Sequence, residues 1–112
     1  MTSYNFGDVL LVPFPFTDQT GTKKRPAVVV NSTIYNQRHS DLILMAITSQ
    51  VRKPLNFGEL EIVEWQKAGL LKSSVVKPVF TTIEVRIVIK KLGNLEISDE
   101  NNLRNIIQQI LG

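Results

Sequence analysis

The chain has 112 residues, 43% of them apolar, with thirteen Lys and Arg against ten Asp and Glu and no cysteine. That length holds one domain (1–112) with a modest core, and the lack of cysteine excludes disulfide and thiolate chemistry. No apolar run approaches the roughly 20 residues that span a bilayer, and residues 1–5 lack the basic and apolar regions of a signal peptide, so a cytoplasmic domain without a membrane partner is expected.

The net charge of +3 is unevenly spread. Lys23, Lys24, Arg25, Arg38, Arg52 and Lys53 face only Asp8, Asp18 and Asp41 in residues 1–56, whereas residues 57–112 carry seven of each sign. An excess confined to the first half points to an anionic partner, most commonly a nucleic acid.

In chain order, residues 9–12 after Gly7-Asp8 read as a buried strand, ended by Pro13-Phe14-Pro15-Phe16 because two prolines forbid pairing in a central strand. Polar residues 17–22 follow as a loop. Pro26, with fixed φ and no N–H, suits the first residue of a second strand. Its apolar run 27–30 is β-branched and too short for a helix. Residues 31–40 read as a polar loop with one helical turn, and 41–47 as a central third strand stopping at Thr48-Ser49-Gln50.

Residues 57–63 alternate like a half-exposed strand, and 64–69 form a helical turn closed by Gly69. A strand over 73–77 ends at Pro78, and a long last strand over 83–92 exposes Arg86, Lys90 and Lys91. Ser98 or Asp99 caps a terminal helix whose Leu103, Ile106, Ile107, Ile110 and Leu111 form one apolar stripe, as core-packing helices do. Short strands, one closing helix and no βαβ alternation make a mainly β fold, a small bent antiparallel sheet or barrel.

The chemistry candidates sit at two strand ends. Arg25 stands at the mouth of the second strand, where a fixed guanidinium suits phosphate or carboxylate; it also reads as a plain surface arginine. Thr48 and Ser49 end the third strand. If these strands are antiparallel neighbours, the start of one lies beside the end of the other. Cation and hydroxyl then form one site able to hold a phosphodiester, Arg25 on the nonbridging oxygens and Thr48 on the backbone. Lys23, Lys24, Arg52 and Lys53 would add salt-dependent phosphate attraction.

Gly7-Asp8-Val9, Val12-Pro13-Phe14-Pro15 and Lys24-Arg25-Pro26-Ala27-Val28-Val29-Val30 together resemble the opening signature of the MazF/PemK (Kid) toxin family. Ala46-Ile47-Thr48-Ser49 is similar to that family's second motif, and Lys91-Leu92-Gly93-Asn94-Leu95 to its closing one. The resemblance implies a homodimeric SH3-like antiparallel barrel with a C-terminal α-helix, the toxin of a type II toxin–antitoxin pair, held by a cognate antitoxin. It implies an endoribonuclease that cuts single-stranded RNA without metal or other cofactor, the ribose 2′-OH attacking its own phosphate to leave 2′,3′-cyclic phosphate and 5′-OH ends. By motif position the catalytic arginine and threonine are Arg25 and Thr48. Arginine, with a pKa above about 12, is an awkward base, so Arg25 is assigned to phosphate stabilisation and proton donation.

Some members carry Arg-Thr-x-Asp before the last strand; here Thr81 takes the arginine's place and Glu84 the aspartate's, which implies either weaker cleavage or a second charge moved to Lys77 or Arg52. The expected RNA-binding set is Lys23, Lys24, Ser49, Gln50, Arg52, Lys53, Lys77, Thr81 and Glu84. Asn31 could read base edges or serve as an ordinary strand-end group. His39, the single imidazole, reads mainly as a solvated loop residue, and Trp65 as a cover for the core or a dimer surface. Phe14 and Phe16 suit RNA stacking or packing. The alternative from another class is a CcdB-like toxin or binding module acting by protein–protein contact.

Overall fold

The apolar runs of the second and third strands are unbroken because both faces of the sheet they centre are covered. The computed structural model describes residues 4–15 and 22–112. Its elements are β1 (Asp8–Pro15), β2 (Thr22–Val29), α1 (Thr33–Arg38), β3 (Asp41–Thr48), β4 (Leu60–Ile62), β5 (Ser74–Glu84), a 3₁₀ turn at Val85–Ile87, β6 (Lys90–Asn94) and α2 (Ile97–Leu111). The strands form one antiparallel sheet in the order β4-β5-β3-β2-β1-β6. Curled into a half-barrel and closed by α2, this is the mainly β small barrel with a C-terminal helix that the sequence leads one to expect.

Successive strand residues point to opposite faces, and here each face has its own core. Val28, Met45 and Ile47 join Val9, Val76 and Leu103 in one cluster, while Ala27, Val29, Leu44 and Ala46 join Leu10 and Phe14 in the other. On α2, Leu103 is buried and Ile106, Ile107 and Ile110 pack against the first cluster, whereas Leu111 at the end of the stripe is exposed. Asp99 is not the helix cap: it is fully buried and its carboxylate accepts from Val63 N (3.1 Å) and Glu64 N (2.9 Å), tying the turn after β4 to the helix. The Gly7-Asp8 pair has a similar local task, since Asp8 Oδ2 accepts from Asn5 N at 2.8 Å and Gly7 turns at a φ of 92° into β1.

Five strand limits differ from expectation, and three involve proline. β1 does not stop at Pro13 but pairs with β2 through Pro13↔Lys24 to Pro15↔Thr22. Ile89 N donates to Leu11 O at 2.9 Å, so odd-numbered β1 residues turn their backbone polar groups away from β2. β6 is paired only as far as Leu11↔Lys90, so at Pro13 the missing N–H faces an unpaired edge.

Likewise β2 begins at Thr22, with Pro26 inside it rather than at its start, and β5 passes through Pro78 at a register shift. The fourth difference is that residues 83–92 are two strands, not one, because the 3₁₀ turn at Val85–Ile87 separates β5 from β6. Only Leu60–Ile62 of the expected strand over 57–63 is paired, as a tight turn (Glu59 N to Asn56 O, 3.1 Å) precedes it.

Candidate active site

Where β2 leaves β3 is decided by Pro26. Val30 N donates to Ile43 O at 2.9 Å, so even-numbered β2 residues direct their donors toward β3. Val28 follows in phase opposite Met45, and Pro26, which has no donor, would be next. The paired register ends at Ala27↔Ala46. Extending it by two residues sets Arg25 opposite Thr48, on the sheet face that carries Val12, Ala27 and Ala46. The two predicted strands are antiparallel neighbours, and the fork between them holds both candidate residues.

The other side of β3 is interrupted at the same level. Met45 is opposite Phe80 and Ile47 opposite Val76, so Lys77, Pro78 and Val79 stand against Ala46 alone. Such a bulge bends its strand and re-aims its side chains. Gly58, at a φ of 90°, lies against it, and a Cβ there would come within 3.2 Å of Pro78. The 49–59 segment is thereby laid over the bulge, bringing Glu59 to Lys77.

Two clefts meet at the fork. One, of about 580 Å³, is lined by Arg25, Thr48, Gln50, Arg52, Glu59 and Lys77. The other, of about 620 Å³, is lined by Arg25, Thr48, Ser49, Lys72, Lys90 and Lys91, with leucines between. Arg25 and Thr48 are common to both and so stand on the rim dividing them. Arg25 Nε is shielded from solvent. The Thr48 Oγ1 accepts from Gln50 N at 3.1 Å, which orients the hydroxyl and leaves its proton for donation.

Glu59 is the one carboxylate lining either cleft among the described residues, and its side chain is only 8% exposed. Its Oε2 lies 2.7 Å from Lys77 Nζ and its Oε1 accepts from Asn56 N at 2.7 Å. The Lys77 ammonium, helped by the Asn56 N–H and opposed by partial burial, holds this carboxyl below its ordinary range.

Of the expected RNA-binding set, Gln50, Arg52 and Lys77 line the first cleft and Ser49 the second. Lys23, Lys24, Lys53, Thr81 and Glu84 line neither. Lys23 and Lys24 are exposed opposite Phe14 and Pro13, and Lys53 pairs with Glu61 at 3.4 Å. Thr81 lies opposite Leu44, and Glu84 opposite Asp41 with Arg86 as its ion-pair partner. Thr81 is thus level with the middle of β3 and Glu84 with its far end from Thr48, the bulge lying between both and the fork within one protomer.

His39 stacks on Tyr35 (4.3 Å between centroids) at that far end, away from both clefts. Asn31 is buried and structural: it donates to Asn36 Oδ1 (2.8 Å) and accepts from Ile43 N (2.9 Å). Phe14 is core, Trp65 packs on the first cluster, and Phe16, with the rest of residues 16–21, lies outside the described residues. Sequence reasoning missed Glu59 and Asn56 in the site; Gly58 before Glu59, in a stretch otherwise alternating like a strand, was the available signal.

Fold and site together define a small antiparallel barrel carrying a cationic cleft at a break in its sheet. Residues 5–111 match the family model described as PemK-like, MazF-like toxin of type II toxin–antitoxin system, and the chain belongs to that family. MazF from Deinococcus radiodurans is 20% identical with a TM-score of 0.73, the match covering 100% of this chain and 99% of that one. The Mycobacterium tuberculosis toxin MazF-mt6 is 22% identical with a TM-score of 0.69, covering 91% and 93%. An endoribonuclease from Mycobacterial species, solved in complex with its cognate antitoxin, is 15% identical with a TM-score of 0.73, covering 100% and 96%. At such identities these structures establish the fold. No curated protein matches the chain. Among the described residues no helix is long and apolar enough to cross a membrane.

Proposed function

We propose that this toxin is a metal-independent endoribonuclease that cuts single-stranded RNA at the fork between β2 and β3. The observation that carries the reading is the shared position of Arg25 and Thr48 on the rim of two clefts, where a strand lying in both would present one phosphodiester to both side chains. The ribose 2′-oxygen attacks its own phosphorus and the P–O5′ bond breaks. The 2′-OH proton is lost and one is gained by the leaving 5′-oxygen, giving 2′,3′-cyclic phosphate and 5′-OH ends.

The nucleophile belongs to the substrate, so the protein supplies charge, orientation and proton transfer. Arg25 neutralises the nonbridging oxygens as the charge grows and serves as a proton donor. Thr48, its oxygen occupied by Gln50 N, donates to the phosphate and fixes its orientation. Gln50, Ser49, Arg52 and Lys77 hold the flanking nucleotides.

A cognate antitoxin restrains the toxin, a partner that the related complex with an antitoxin supports, and the working form is a cytoplasmic homodimer. The test is incubation of purified protein with a defined RNA in EDTA, followed by analysis of the ends. Cyclic phosphate and 5′-OH termini, lost with Arg25→Ala and with Thr48→Ala, are expected. Phosphate at the new 5′ ends, or undiminished cutting by both variants, would overturn the mechanism.

A further inference from the structure

A cleft that grips a polyanion has little electrostatic use for a carboxylate, yet the first cleft carries Glu59 in its wall. Three cations line the same cleft, Arg25, Arg52 and Lys77, so the position is not simply a solvated face that happens to be acidic. The side chain is nearly buried and fixed at both oxygens, by Lys77 Nζ and by Asn56 N, each at 2.7 Å. It cannot swing into solvent when RNA arrives without giving up both contacts. The Gly58 turn pressed against Pro78 holds the backbone beneath it.

An ionised carboxylate is an acceptor only, and each of its oxygens keeps a second lone-pair direction beyond the contact it makes. What such a group recognises in an unpaired RNA strand is an N–H on a base edge, above all an exocyclic amine. Lys77 beside it is the complementary donor for a ring nitrogen or carbonyl on the same edge.

Resting on the ribonuclease reading above, we infer that Glu59, with Lys77, is the base-reading element of this toxin, selecting an amine-bearing base at one position flanking the cut. Phosphate attraction by Arg25 and Arg52 is blind to sequence, whereas a fixed acceptor in the cleft wall favours the base that offers it an N–H. Glu59 touches a base and not the reacting atoms, so it acts on choice of site.

The test is a set of otherwise identical RNA substrates in which guanine is replaced by inosine, cytosine by 2-pyrimidinone and adenine by purine, one position at a time around the mapped cut. Wild type should cleave one of these about tenfold more slowly than its parent, and Glu59→Gln should cleave parent and analogue at nearly equal rates. Mapping on a randomised RNA should show the matching preference flattened in Glu59→Gln. Equal cleavage of every analogue by wild type, or a Glu59→Gln protein that loses rate uniformly with its preferences intact, would overturn the inference. The analogue series on wild type decides the matter even if the variant fails to fold. A wild type that cuts the parent RNA but ignores every amine refutes base reading alone; one that cuts no RNA refutes the ribonuclease reading as well.

Discussion

The two ends of β3 are built from similar residue types and do opposite things. At the Asp41 end the pairing with β5 is unbroken from Asp41↔Glu84 to Met45↔Phe80, and on the β2 side Ile43 is bonded through Val30 N and the Asn31 side chain. Polar groups there are spent on one another: Tyr35 OH donates to Asp41 Oδ1 at 3.1 Å, His39 stacks on Tyr35, and Arg86 pairs with Glu84. At the Thr48 end Pro26 stops pairing with β2, and the bulge at residues 77–79 interrupts it with β5. The sheet opens, and the cations face clefts. On the reading proposed above, chemistry in this barrel is placed by where the ladder is broken, more than by which polar residues are present.

Substituting a cation at each end should separate the two most widely. Arg25→Ala is expected to lower kcat/KM for RNA cleavage by about a hundred- to a thousandfold with little change in Tm. Arg86→Ala, whose partner is the exposed Glu84, should leave cleavage within about twofold, since exposed pairs contribute little. Equal losses in the two variants would erase the distinction drawn between the ends.

A smaller effect tests the fork itself. Pro26→Ala restores a backbone donor in phase with Val28 and Val30, so the β2–β3 ladder should extend toward Ile47. The amide at position 26 should then gain protection from hydrogen exchange, while cleavage falls several-fold as Arg25 and Thr48 are drawn into regular pairing. An unprotected amide with unchanged activity would show that proline does not hold the fork open.

The closed end should answer in stability alone. Burial first, then the Asp41 carboxylate, raises the Tyr35 hydroxyl above its ordinary pKa, so at neutral pH it remains a donor. Tyr35→Phe removes that bond and should lower stability modestly in denaturant unfolding, with kcat/KM unaltered.

The smallest effect lies in acid. Because the folded state lowers the pKa of Glu59, the ionised form favours folding, and its contribution is present above the ordinary glutamate value. That contribution is lost as the pH falls through the lower, folded value. Wild type should therefore lose stability relative to Glu59→Gln on acidification through and below about pH 4.3, as thermal melts across that range would show. A difference independent of pH would mean that the Lys77 contact does not favour ionised Glu59 in the folded state.

Much of this was readable before any coordinates. Unbroken apolar runs bounded by polar stops located β2 and β3, the α2 stripe through Ile110 marked its packed face, and the motifs around Arg25 and Thr48 singled out the pair. Proline was the least legible residue, because its tolerance depends on which side of a strand its absent N–H would face, and sequence shows no neighbour. Pro13 is harmless at an unpaired edge, whereas Pro26 ends a ladder.

What the sequence determined alone was strand identity and the chemical types at strand ends, since side-chain alternation and φ restriction are local properties. Tertiary structure alone decided that Glu59 meets Lys77, that Thr81 and Glu84 lie away from the fork, and that Asp99 ties a turn rather than capping a helix. Those outcomes depend on register and bulges, the non-local pairings through which one inserted residue redirects every side chain beyond it.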